Sequence, residues 1–210
     1  RQLAPWYIGY VLLFNLLVGP VFSADSLTSE RERSTLDLLL TTLITPWQML
    51  WGKLLSGLRV SSVLTSFLLW PVFLACLMPV GYWENILTMA GYFLIVALTA
   101  VTTAMTALFC STIFRKSSTS LMCSYLVLAT IFLVPIAARV FTQTFAPNST
   151  ASDVVSIFEA FSPFAAAFNL PLTLDDSYSN VARIDIRIFF GFILFAIVYN
   201  SALLLGMIQL

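Results

Sequence analysis

Five continuous apolar runs constrain this chain more than any other feature. They cover 4–23, 60–79, 86–114, 119–137 and 188–210. As a helix rising about 1.5 Å per residue, a segment of about twenty residues crosses the ~30 Å hydrocarbon core of a bilayer. Each run reaches that length. The third is longer than needed, so it tilts or extends into the interface. Composition agrees: 60% of residues are hydrophobic and 10% are charged, against roughly a quarter charged in a soluble domain. The expected fold is an all-α integral membrane protein, a helical bundle with five visible spans. A cleaved signal peptide is the rival reading of 4–23, with Arg1 as its basic end. Phe22 is too large for the cleavage site, and Asn15 and Pro20 interrupt the apolar core.

Several functions are excluded early. Net charge is zero, which leaves no basic surface for nucleic acid. Histidine is absent, which removes the commonest metal ligand and the usual general base. Cys76, Cys110 and Cys123 are far apart in apolar runs and read as small buried hydrophobes, not as a metal site or a disulfide. No metal ligand set and no catalytic residues are expected. Gly52-Lys53 is not a phosphate loop, because Leu54 stands where Ser or Thr is required and no glycine precedes at the right spacing. No Asp, Glu, Lys or Arg sits mid-span, so a proton or sodium relay on buried carboxylates is not supported. The chain opens on Arg1 and ends in an apolar run at Leu210. The expectation is a fragment of something longer.

Basic residues near span ends set the orientation. Arg31, Arg33, Lys53 and Arg59 lie between the first two spans, and Arg115 and Lys116 between the third and fourth. Those connections are expected in the cytoplasm. The opposite face has no Lys or Arg in the 80–85 turn. In the 140–187 loop its basic residues are diluted by Asp153, Glu159, Asp175, Asp176 and Asp185. Val154, Ile157, Phe158 and Phe161 form an apolar stripe in that loop, bounded by Ser152 and by Ser162-Pro163. The 164–172 stretch is apolar but too short to cross. Short interfacial or re-entrant helices on the outer face are expected.

The polar stretch 25–53 breaks this apolar pattern. Two helix starts can be read in its first half: Ser29 with Glu32, or Ser34 with Asp37, each with the spacing of a capping box. Leu36, Leu39, Leu40 and Leu43 recur at helical spacing, with Asp37, Thr41 and Thr45 elsewhere on the wheel. This is an amphipathic helix too short to span, so it lies at the membrane surface or docks on a partner. Pro46 then stands at the first position of a further helix, where its missing N–H costs nothing.

Within the third span, Thr99, Thr102, Thr103 and Thr106 share one side, and Ala97, Ala100, Ala104 and Ala107 form a stripe of small residues. The threonines read either as a polar path for a substrate or as close helix packing with satisfied hydroxyls. Asn15 and Asn200 read as polar contacts between helices.

Glu30-Arg31-Glu32-Arg33-Ser34-Thr35-Leu36-Asp37-Leu38-Leu39-Leu40-Thr41-Thr42, followed by Pro46 and Gly52-Lys53, resembles the signature of ABC-2 type transporter permeases, with Ser34 where glycine is usual. The resemblance covers 25–53, and the span pattern around it fits. It implies that the visible spans are spans two to six of a six-span permease domain. It also implies that the stretch carries a cytoplasmic coupling helix seated on a nucleotide-binding subunit. Glu30, Arg31, Glu32 and Arg33 would be its charged contacts. Ser34, Thr35 and Asp37 would form its start, and Leu36, Leu39, Leu40 and Leu43 its apolar face. The implied function is the permease subunit of an ABC exporter in the cell membrane, the cytoplasmic membrane if bacterial. It would pair with itself or a homologue. ATP and Mg would be held by a separate ATPase, with no cofactor in this chain. A membrane scaffold or assembly protein that moves no substrate is the alternative. The substrate is not written in these residues.

Overall fold

Continuous apolar composition favours the helix because a helix satisfies its backbone hydrogen bonds without help from lipid. The computed structural model describes residues 3–32, 46–77, 86–114, 116–145, 155, 158–159, 161–168 and 186–209. Six helices are described: α1 (Leu3–Glu32), α2 (Pro46–Leu77), α3 (Ile86–Ile113), α4 (Ser117–Phe145), α5 (Pro163–Phe168) and α6 (Ile186–Gln209). No strand occurs among the described residues. All but α5 are long and apolar enough to cross a membrane.

Three helices outrun the apolar stretches that announce them. α1 continues past 23 to Glu32, so Ser29 lies inside it and does not start a new helix. Packing carries it on where apolarity ends: Ala24 and Thr28 are fully buried. Thr28 N donates to Ser111 Oγ of α3 at 3.2 Å. The alternative start, Ser34 with Asp37, lies outside the described residues, as does the whole of 33–45. α2 begins at Pro46, the expected first helical position, and runs without a break into the apolar run from 60, with Leu54 and Gly57 already buried. α4 runs past 137 to Phe145 and so takes in Arg139.

Contacts fix the helix directions. Asn15 meets Ser61, and a Cβ on Gly57 would lie 2.7 Å from Ser23 Oγ, so α1 and α2 are antiparallel. Asn15 also meets Val96, and Thr28 meets Ser111, so α1 and α3 run parallel. Thr106 meets Tyr199, and Phe109 lies against Gly206, so α3 and α6 run parallel too. The end of α1, the start of α2 and the α3–α4 turn therefore share one end of the bundle. The start of α1, the end of α4, and α5 share the other, where Trp6 packs edge-on to Phe168 at 5.7 Å.

The core has two parts. Toward the α5 end, Ile8, Val11, Leu12 and Leu16 of α1 pack on Tyr92, Ile95, Val96, Leu128, Phe132, Phe164 and Phe192. Toward the other end, Leu54, Ala104, Met105, Leu108 and Met207 pack together. α3 is the most enclosed span, while α6 presents Phe190, Leu194, Ile197, Val198 and Leu205 outward. Of the expected alanine stripe only Ala104 and Ala107 are buried; Ala97 is exposed. Between α4 and α6, Glu159 O accepts from Ser162 N at 3.0 Å. Ser162 O then accepts from Ala166 N at 3.1 Å and opens α5. The six residues of α5 are too few to cross, and Pro163 to Ala167 are buried by the surrounding helices.

Candidate functional site

The sequence points to the end of the bundle where α1 stops and α2 starts. α1 has 30 residues, about 45 Å at ~1.5 Å per residue, more than the ~30 Å of hydrocarbon. Its candidate span, Trp6–Ala24, leaves the last turns past the apolar stretch, and Glu30, Arg31 and Glu32 form the final turn. α2 opens with Trp47 and Trp51, edge to face at 5.6 Å and both partly exposed. Paired indoles suit the interfacial level of a membrane. Between these ends runs 33–45. Arg33, Ser34, Thr35, Leu36, Asp37, Leu39, Leu40 and Leu43 thus lie outside the described residues. What is described is the frame that holds both ends of that segment.

The frame is tied by small and polar residues. Asn15 Nδ2 donates to Val96 O at 3.3 Å, and Ser61 Oγ donates to Asn15 Oδ1 at 3.3 Å. One buried amide therefore joins α1, α2 and α3. Such bonds hold helices where no hydrophobic force separates lipid from protein. Gly19 and Gly57 permit the close approaches: a Cβ at Gly19 would lie 2.5 Å from Thr103 Oγ1.

Thr99, Thr102, Thr103 and Thr106 are all buried. Each hydroxyl donates to a carbonyl of its own helix: Ile95 at 2.7 Å, Thr99 at 2.9 Å, Ala100 at 2.9 Å and Thr102 at 2.6 Å. The structure brings the four together inside the packing, with Thr103 against α1 and Thr106 within 3.3 Å of Tyr199 Oη on α6. Their hydroxyls are satisfied without a ligand, which is the packing arrangement.

Two features have no counterpart in the sequence reading. Arg139 Nε and Glu159 Oε1 form an ion pair at 2.8 Å, with the carboxylate side nearly enclosed and the guanidinium partly open. Burial holds the Glu159 carboxyl above its ordinary range, and the charge of Arg139 partly offsets this. Nothing in the spacing of the two residues announces the pair. A column of rings also runs from the segment before α5 along α6. Phe158 lies 5.6 Å from Phe161, Phe161 4.6 Å from Phe195, and Phe195 5.5 Å from Tyr199, which meets Thr106. Phe195 and Tyr199 could have been found by their i, i+4 spacing on one helix face.

A family model described as ABC-2 family transporter protein matches residues 7–209. The chain belongs to the ABC-2 transporter family. No curated protein and no solved structure matches it. The match takes in every described spanning helix, so the bundle is an ABC-2 membrane domain, a multi-pass permease of ABC transporters. Permeases of this family generally work with an ABC ATPase subunit. That places the α1–α2 end, with its polar 25–53 stretch, at the centre of the functional question.

Proposed function

We propose that this chain is the permease subunit of an ABC exporter, pairing with a second permease copy or homologue and driven by a separate ATPase subunit. ATP and Mg belong to that ATPase, and hydrolysis takes place there. The coupling element is the segment from Glu30 to Leu43. ATPase closure pushes on it, and the push reaches the spans through α1 and α2.

One observation carries this reading. The two helices that flank the segment run on without a break into the bundle, where they meet at the Ser23–Gly57 approach and are tied to each other and to α3 at Asn15. A force applied between their ends is transmitted to the buried centre of the bundle instead of being lost in a loop. The orientation that goes with it puts Lys53 and Lys116 in the cytoplasm and α5 on the outer face.

The test is to isolate the full-length protein from its native membranes in a mild detergent and identify what accompanies it. An ABC ATPase in stoichiometric amount is the expected companion. Isolation without any ATPase would favour the scaffold reading.

A further inference from the structure

Three of the spanning helices contain an internal proline: Pro20 in α1, Pro71 in α2 and Pro135 in α4. Proline has no N–H for the carbonyl four residues back, and its ring crowds that carbonyl, so the turn before it is short of hydrogen bonds. The carbonyls that lose that donor are those of Leu16, Phe67 and Ile131, each one residue before a carbonyl that another element holds.

In all three helices a hydroxyl from another element is aimed at the same place, the carbonyl three residues before the proline. Tyr125 Oη of α4 donates to Leu17 O, ahead of Pro20. Tyr7 Oη of α1 donates to Leu68 O, ahead of Pro71, at 2.7 Å. Ser162 Oγ, at the start of α5, donates to Phe132 O, ahead of Pro135, at 3.0 Å. By contrast, Thr65, Thr99, Thr130 and Ser201 each close onto a carbonyl of their own helix.

We propose that the three prolines are hinge points and that Tyr125, Tyr7 and Ser162 are their latches. Each hydroxyl fixes the bend at one proline by holding a carbonyl whose own helix turn is weakened there. α1 both gives a latch, through Tyr7, and receives one, at Leu17. The ties therefore run in series from α2 through α1 and α4 to the outer segment, so a swing released in one span reaches the next. As steps of a transport cycle these swings rest on the permease reading above; as a property of the fold they stand without it.

The test uses the full-length permease alone, so its outcome is independent of whether an ATPase docks. Met122 and Phe145, exposed on either side of Pro135, are replaced by spin-labelled cysteines after Cys76, Cys110 and Cys123 are changed to alanine. Losing one hydrogen bond moves the latched–unlatched balance by roughly 2- to 10-fold. Ser162→Ala is therefore expected to broaden the distance distribution and add a second population. With Pro135→Ala the distribution should be narrow whether residue 162 is Ser or Ala. No change with Ser162→Ala, or equal broadening in both backgrounds, overturns the proposal. Should Pro135→Ala fail to insert, Tyr7→Phe paired with Pro71→Ala puts the same question by melting temperature. Tyr7→Phe should lower it only where Pro71 is retained; an equal fall in both backgrounds overturns the proposal.

Discussion

Gly19 of α1 faces Thr103 of α3 so closely that a methyl group on the glycine would sit 2.5 Å from the threonine hydroxyl oxygen. That oxygen is already held by Ala100 O at 2.9 Å, so it cannot easily turn away. Gly19→Ala is predicted to force α1 and α3 apart at about 1–3 kcal/mol, the usual cost of overpacking. Adding Thr103→Ala, which removes the clashing oxygen, should recover part of the loss. Melting temperatures of the single and double variants in one detergent check this. Equal stability of Gly19→Ala and the parent would contradict the close approach.

Asn15 ties three helices with two bonds. Interhelical polar contacts in membranes are worth about 0.6 kcal/mol on average and up to about 1.7. Asn15→Ala, which removes both bonds without adding bulk, is predicted to cost at least about 1 kcal/mol. It should also make the protein insensitive to a second change, Ser61→Ala, because both act on one junction. Full additivity of the two losses in a double-mutant cycle would show that the junction is not shared.

The Arg139–Glu159 pair gives a pH dependence of definite sign. Burial raises the Glu159 carboxyl above 4.5, and Arg139 partly lowers it again. The folded protein thus holds this proton better than the unfolded chain does. The contribution of Glu159 is fullest below its unfolded pKa and declines as pH rises through the raised folded value. Glu159→Gln should remove that decline, so the variant gains on the parent as pH moves from acid toward neutral. Arg139→Leu, leaving a buried carboxylate without its partner, should cost about 1–3 kcal/mol near neutral pH and less in acid. Melting curves of the three proteins across that range decide the matter; parallel pH profiles would contradict it.

The spans were legible because lipid demands long apolar runs and the chain supplies five. Their ends were less legible for the same reason: apolarity reports where lipid stops, not where a helix stops. α1 runs on to Glu32 because Ala24 and Thr28 continue to pack on α3, a tertiary fact. Asn15 was readable as a contact between helices, since a lone amide in lipid needs a partner. Its two partners were not, nor was the use of Gly19 and Gly57 as points of approach. Glu159 reads in the sequence as a loop charge, and an apolar run that ends at 137 does not show that α4 continues far enough to bring Arg139 against it. The prolines were visible in the sequence; the hydroxyls aimed at the carbonyls before them come from other elements.

The orientation is open to direct labelling. With native cysteines replaced, Glu32→Cys should resist a membrane-impermeant thiol reagent in intact cells, and Ser177→Cys should react. The reverse pattern would turn the bundle over and put the polar 25–53 stretch outside, where no cytoplasmic ATPase reaches it.

The central claim is that the Glu30–Leu43 segment couples this permease to an ATPase. The most direct measurement compares two quantities from the same cells: permease in the membrane, and ATPase that co-purifies with it. Exposed ion pairs contribute only about 0–1 kcal/mol to folding, whereas a docked charge that loses its partner costs roughly 2–5 kcal/mol. Glu32→Ala with Arg33→Ala, and separately Leu40→Asp, are therefore predicted to leave the membrane level unchanged and to strip away most of the ATPase. Normal membrane levels with the ATPase retained, and transport-linked hydrolysis undiminished, would contradict the account.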